Sequence, residues 1–409
     1  MSGVEENDFF FQAEDGIRDF CLSRGLGDVY KSQDKNLFVL TEKDLIKLSA
    51  MLLLAVIFFG LTGLVMMLIL QLLTRQSYAH EGVDKHGISQ VSASRMGGAA
   101  VAVMTFGLLV MGAYSGLIGA EIGPLGVDNF VWLTVICCLG LGLVEDLKND
   151  YLAPRVRLYA EFAIFGVMVA VTPQFIPLDL GIWGLDAVMA LPVIGFVLTV
   201  MFCVGFINAV NMADGANGLM PGILTISFSL FYAETGSLVH AALMTSCGLF
   251  TIFNVISGRL FLGDTGSYGL GAILVLSGLY FYERGVFSAS FLAVLLAYPC
   301  IDFLMTLARR SWQGRSIFLP DNDHLHNRLY FQLHKRLGSA MLANSLTGGA
   351  VVASSSGVAL MGTLWNWLPV TSSQWAAVFG AQCLAYGLTF YLAGLGRPVS
   401  QHVVNVDPI

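Results

Sequence analysis

The sequence predicts an all-α fold, a polytopic integral membrane protein with about eleven transmembrane helices. Three observations carry this reading. Of the 409 residues, 56% are hydrophobic and only 12% charged, with a mean hydropathy of +0.72, whereas a soluble domain carries about 25% charged residues. Apolar runs of membrane length recur from Ser49 almost to the carboxyl end. Glycine supplies 45 residues, which suits close helix packing in lipid. A disordered chain and an ordinary soluble enzyme are thereby excluded. With a net charge of −7, no nucleic-acid partner is expected. Cys137, Cys138, Cys203, Cys247, Cys300 and Cys383 lie inside apolar runs and form no CxxC pair. They read as small buried hydrophobes.

The amino end differs from the rest. Residues 1–33 hold seven acids and three bases, with no apolar run long enough for a membrane. Their stretch FFFQAEDGIRDFCLSRGLGDVYKSQ resembles translated sequencing-adapter DNA, so a non-native, disordered tail is expected there. Residues 34–48 read as a short native lead-in, 49–395 as one transmembrane domain and 396–409 as a cytoplasmic tail.

The apolar runs are 49–73, 97–116, 129–145, 158–172, 187–207, 219–234, 238–257, 268–282, 286–308, 341–364 and 374–395. Each should be helical, because lipid satisfies no unpaired backbone group. Loops 74–95, 146–157, 258–267 and 309–340, with the carboxyl tail, carry 14 Lys and Arg. The intervening loops carry only Arg284. The positive-inside rule then makes the basic loops cytoplasmic.

The polar strings fall on that same side. They are SRMGGAAV (94–101), GLVEDLKND (142–150), NAVNMADGANGL (208–219), FNVISGRLFLGDTGSYGLG (253–271) and FLPDNDHLHNRL (318–329). A random scatter of polar loops would not sort by side, so one site at the cytoplasmic surface is expected. In the third string Asn208, Asn211, Asp214 and Asn217 recur every three residues beside Gly215 and Gly218. Helix capping explains one such residue, and a polar ligand explains four. Asp264, in a turn rich in glycine and hydroxyls, suits either Mg²⁺ or a helix N-cap. Glu145 and Asp146 are adjacent acids fit for metal, phosphate or proton chemistry, or are plain interfacial charges. His324 and His326 lack a third ligand of matching softness, so contact with an anionic phosphate suits them better than zinc. Asp302, an acid within a span, is a functional candidate unless Arg309 or Arg310 neutralises it.

Taken together and in order, NxxNxxDGxxGL, FLGDTGS and PDxxHLH resemble the motifs of the polyprenyl-phosphate sugar-1-phosphate transferases, glycosyltransferase family 4. The resemblance covers residues 50–395. It is strongest to the undecaprenyl-phosphate N-acetylglucosamine-1-phosphate transferases of surface polysaccharide (O-antigen) synthesis. By this resemblance Asp264 is the Mg²⁺ ligand, with Mn²⁺ as a substitute. Asp146, with Glu145, matches the paired-aspartate motif and joins Asp264 as a catalytic group. Asn211, Asp214 and Asn217 match the nucleotide loop, and Phe261 the aromatic residue against uracil. His324 and His326 match the histidine motif. Arg95, with Gly97 and Gly98, matches the segment after the first span, and Lys85 adds positive potential. The sequence departs from the family pattern at Glu145 for Asp, Asn217 for Asp, Ser94 for Pro and Asn327 for His.

The resemblance implies transfer of a sugar 1-phosphate from a UDP-sugar to undecaprenyl phosphate, with release of UMP, in a bacterial inner membrane. Membrane lipid is an expected partner, and a homodimer is allowed. A secondary transporter is the competing reading. It predicts polar residues at mid-membrane and repeated broken helices, neither of which the sequence displays.

Overall fold

A computed structural model describes residues 42–73, 80–81, 93–115, 129–148, 151–182, 184–314, 316 and 323–395. The tail 1–33, residues 34–41 of the 34–48 lead-in, Lys85 and the segment 396–409 lie outside the described residues. The chain divides at Ala50 into two units, and of the first only helical residues 42–50 are described.

Within the described residues each of the eleven apolar runs is mainly helical. The helices are α1 (Glu42–Leu73), α2 (Gly97–Tyr114), α3 (Asn129–Leu147), α4 (Pro154–Val171), α5 (Leu185–Met189), α6 (Pro192–Ala213), α7 (Leu219–Thr235) and α8 (Leu238–Ser257). They continue with α9 (Gly263–Glu283), α10 (Ala289–Leu295), α11 (Ala297–Trp312), α12 (Leu325–Leu337), α13 (Ala340–Ser354), α14 (Ser356–Leu364) and α15 (Trp375–Gly394). Among the described residues, five helices are long and apolar enough to cross a membrane, or up to seven if each bent pair counts as one span, against the eleven expected. The outer faces are strongly apolar: Leu384 on α15 is 77% exposed, and Phe106, Ile136 and Leu304 are also open. Water would not tolerate so much apolar surface, and lipid does. The chain is a multi-pass membrane protein.

Among the described residues, two expected spans are sharply bent at a break. The run 286–308 bends by 82° between α10 and α11, and 341–364 by 51° between α13 and α14. Pro299 has no N–H to offer the Leu295 carbonyl. Ser356 Oγ donates to that carbonyl at 2.7 Å instead. In return, Tyr298 N donates to Ser355 Oγ at 3.0 Å. Gln382 on α15 donates to the carbonyls of Ser354 and Ser355. Serines at the second break thus satisfy backbone groups freed at the first, and Gln382 satisfies those freed at the second.

α9 is the central helix. Residues 265–278 are buried throughout, packed among α2, α3, α6 and α7. Its far end rests in an aromatic ladder of Phe231, Phe281, Phe287, Phe291 and Trp375. Its first turn is where the polar strings meet.

Candidate active site

The site begins with the N-terminus of α9, which leaves backbone N–H groups unpaired. Leu262, at the N-cap, supplies no side-chain acceptor. Two acids from other helices supply it. Asp146, at the end of α3, accepts from Asp264 N at 2.9 Å, Thr265 N at 2.7 Å and Thr265 Oγ1 at 2.6 Å. Asp214, which ends α6, accepts from Gly263 N at 3.3 Å. α9 therefore starts at Gly263, earlier than the apolar run suggested. Asp264 lies in its first turn and is not the cap. Its side chain stays 15% exposed, while Asp146 is fully buried.

The approach to this turn is built from backbone. The segment after Gly258 pairs with Ser94: Ser94 N donates to Arg259 O at 3.1 Å, and Phe261 N to Ser94 O at 2.8 Å. Gly97 N and Gly98 N donate to the carbonyls of Phe261 and Leu262. A Cβ on Gly98 would overlap the Gly266 nitrogen. Gly263 has φ +71° and lies against the Arg95 carbonyl and the Asp146 carboxylate, a place no side chain could share. The SRMGG string thus holds α9 in place through its main chain, and Phe261 stays partly exposed beside it.

One cation ties the acids together. Arg157, near the start of α4, lies 3.3 Å from Glu145 Oε1 and 3.5 Å from Asp264 Oδ2. Glu145 is buried and also accepts from Leu152 N at 3.3 Å. A further buried acid, Glu161, sits one turn along α4 from Arg157 and accepts from Asn208 Nδ2 at 2.5 Å. Asn211 Nδ2 contacts the Tyr268 hydroxyl at 3.4 Å.

Asn217 is placed differently. It is buried, its backbone N donates to Asn344 Oδ1 at 2.9 Å, and its amide reaches Ser345 Oγ at 3.4 Å. It pins the 214–218 turn to α13. Asn254 braces the same turn, accepting from Gly218 N at 2.5 Å and donating to Leu260 O at 2.7 Å.

The histidine string closes the site from α12. His324 Nδ1 lies 2.6 Å from Asp302 Oδ2, and His326 Nδ1 lies 2.7 Å from the Tyr298 hydroxyl. The two rings stack at 5.5 Å with an interplanar angle of 5°. A Cβ on Gly215 would overlap His326 Nε2, so this ring lies against the 214–218 turn. Asp302 is paired with His324. Arg309 instead meets Asp323, which also takes a two-point contact from Arg328 at 2.7 Å.

Six of the sequence-selected side chains, Glu145, Asp146, Asn211, Asp214, Phe261 and Asp264, therefore gather around the head of α9, with the Arg95 main chain against it. His324 and His326 join through Gly215, and Asn217 supports from behind. Arg157, Glu161, Asn254 and Tyr298 were missed. Arg157 carried a weak signal, as a base in a loop shared with the acid pair. Among the described residues, no three His, Cys, Asp or Glu side chains form a metal cage. Asp264 offers a single hard, partly exposed carboxylate. This suits Mg²⁺ or Mn²⁺ shared with phosphate oxygens and water, and does not suit a metal held by protein alone.

Residues 129–282, which supply every acid of this cluster, match the profile of glycosyl transferase family 4. The chain is 29% identical over 248 residues to a Bacillus subtilis protein named as a probable undecaprenyl-phosphate N-acetylglucosaminyl 1-phosphate transferase. That match covers 58% of this chain and 65% of the relative. It is 28% identical over 200 residues to the undecaprenyl-phosphate alpha-N-acetylglucosaminyl 1-phosphate transferase of Thermotoga maritima, covering 49% and 61%. With the phospho-N-acetylmuramoyl-pentapeptide-transferase of Staphylococcus carnosus it shares 26% identity over 302 residues, covering 68% and 90%. The chain spans 54–65% of the length of its first curated relatives, those of the N-acetylglucosamine-1-phosphate type.

Proposed function

We propose that this chain transfers a sugar 1-phosphate, as from a UDP-N-acetylhexosamine, to undecaprenyl phosphate. UMP would leave, and the product would start a lipid-linked glycan such as O-antigen. The site would face the cytoplasm in a bacterial inner membrane. The observation that carries this reading is the head of α9, where a partly exposed Asp264 is flanked by Arg157 and by backbone fixed through Asp146 and Asp214. The named activities of the relatives supply the substrate class.

Both reactants are anions, so charge dominates the barrier. Asp264 would hold Mg²⁺, or Mn²⁺ in its place, together with the pyrophosphate oxygens. When bound, the ion supplies charge neutralisation at the phosphoryl groups. Arg157 is poised to turn its guanidinium from the two carboxylates to a phosphate. Arg95 and Lys85 add positive potential, and His324 and His326 offer ring edges to phosphate oxygens. Phe261 gives an apolar face for uracil, with Asn211 and Asp214 beside it as hydrogen-bonding groups. Asn217 acts by shaping the turn.

Asp146 has both oxygens occupied by donors and no exposed surface, which suits positioning and not attack. Direct attack of the lipid phosphate on the β-phosphorus is therefore favoured over a carboxyl-linked intermediate. The test is transfer of radiolabel from a panel of UDP-sugars into organic-extractable undecaprenyl lipid, with UMP measured in parallel. Lipid-borne label lost in Asp264→Asn is expected. Absence of labelled lipid with every UDP-sugar would overturn the reading.

A further inference from the structure

Asp302 sits in α11, away from the family 4 segment, with 1% of its surface exposed. Tyr298, Asp302 and Thr306 lie four residues apart along one helix face. Asp302 Oδ2 meets His324 Nδ1 at 2.6 Å, and Thr306 Oγ1 approaches the same nitrogen at 3.5 Å. Asp302 Oδ1 accepts from Leu325 N at 3.1 Å and from the Tyr386 hydroxyl at 2.6 Å. Helices α11, α12 and α15 thus all meet on one buried carboxylate. Both histidines bind α11 through Nδ1, and their rings are parallel. Their Nε2 edges therefore turn away from those α11 contacts, and that of His326 lies against Gly215.

We infer that Asp302 is a positioning residue that keeps a proton on His324 Nδ1 and turns Nε2 toward the phosphate side of the site. This rests on the proposed role of His324 as a phosphate contact. A carboxylate can only accept, so it selects an Nδ1–H ring, and the partner of one ring nitrogen decides what the other can do. To donate from Nε2 to a phosphate oxygen as well, His324 must be the imidazolium. A buried imidazolium needs a counter-charge, and Asp302 supplies it.

Asp302→Asn inverts this arrangement without changing its shape. Leu325 N–H can only donate, so the Asn oxygen must stay at the Oδ1 position. The NH₂ group then faces His324 Nδ1, which has to give up its proton, and the ring becomes the neutral Nε2–H tautomer. Tyr386→Phe removes one hydrogen bond from Asp302 and leaves its charge.

The experiment uses full-length protein labelled with ¹⁵N-histidine, with the His324 signals assigned by their loss in His324→Gln. Nδ1 of His324 should be protonated in the wild type and in Tyr386→Phe, and unprotonated in Asp302→Asn. With UDP-N-acetylglucosamine as the probe, Asp302→Asn should raise KM at least about 10-fold, a loss on the scale of one charge-assisted hydrogen bond. It should have little further effect in a His324→Gln background. An unchanged Nδ1 proton in Asp302→Asn would overturn the assignment. So would an equal rise in KM in Tyr386→Phe, or an undiminished effect in the double variant. If the wild type transfers no sugar phosphate, the functional reading fails, while the His324 tautomer still decides the role of Asp302.

Discussion

Asp146 and Thr265 lie 119 residues apart and are joined twice, through Thr265 N at 2.7 Å and Thr265 Oγ1 at 2.6 Å. The acid that ends α3 thus caps α9 from outside. Whatever α9 presents to a substrate depends on this contact.

Asp146→Asn leaves one acceptor oxygen where three donors converge. Each hydrogen bond to a charged group contributes about 1.5–3 kcal/mol. Transfer should fall at least about 10²-fold, on the scale of losing an acid–base group, and the thermal midpoint should fall with it. A large loss of turnover with an unchanged midpoint would mean that Asp146 acts on the substrate directly.

Asp264→Asn should differ in kind. Its carboxylate caps nothing and is partly exposed, so the folded protein should melt as the wild type does. Transfer should fall by at least about 10²-fold, a few kcal/mol of lost transition-state stabilisation. Near-normal activity at saturating Mg²⁺ would sink the assignment.

Arg157→Met removes the charge between Glu145 and Asp264 and leaves Glu145 buried with its N–H contact alone. Leaving one half of a buried pair unpartnered costs about 3–5 kcal/mol, and a clear loss of both stability and transfer is expected. Glu145→Asp should be mild, since the shorter acid keeps its charge toward Arg157. Equal, severe losses in both variants would give Glu145 a length-specific chemical role. Thermal unfolding and UMP release distinguish the outcomes.

Gly142 and Gly140 stand two residues apart on α3 and should respond differently. A Cβ on Gly142 would overlap the Asp264 carbonyl, whereas one on Gly140 meets nothing within 4 Å. Gly142→Ala should destabilise by about 1–3 kcal/mol through overpacking and displace the head of α9, lowering transfer. Gly140→Ala should leave both unchanged. Matched thermal midpoints for the two variants would contradict the close α3–α9 approach.

Reporter fusions should place loops 146–157 and 309–340 in the cytoplasm and loop 117–128 outside. The basis is the 14 bases against one on the two sides. An external 309–340 loop would separate the histidine pair from the side assigned to the site.

The acid pair shows how far local sequence reaches. Adjacent residues at a helix end point about 100° apart, so Glu145 and Asp146 had to meet different partners. Which partners these are is not local information. Asn217 repeats the lesson: its spacing grouped it with Asn211 and Asp214, yet its side chain faces α13. Asp302 was legible as an unusual acid within a span, but its nearest bases in sequence, Arg309 and Arg310, are not its counter-charge. Its partner, His324, arrives from the next helix.

The sequence by itself determined that this chain is helical and lives in lipid, because apolar runs in a membrane have no other way to satisfy their backbone. It also determined which polar strings share a side, because charge sorts loops across a bilayer. Tertiary structure decided which acid stays open and which is used up in holding α9. It also chose Arg157 as the bridging cation and sharply bent two of the expected spans. These outcomes depend on packing between helices far apart in sequence, where a donor is matched to an acceptor only when the backbones come into contact.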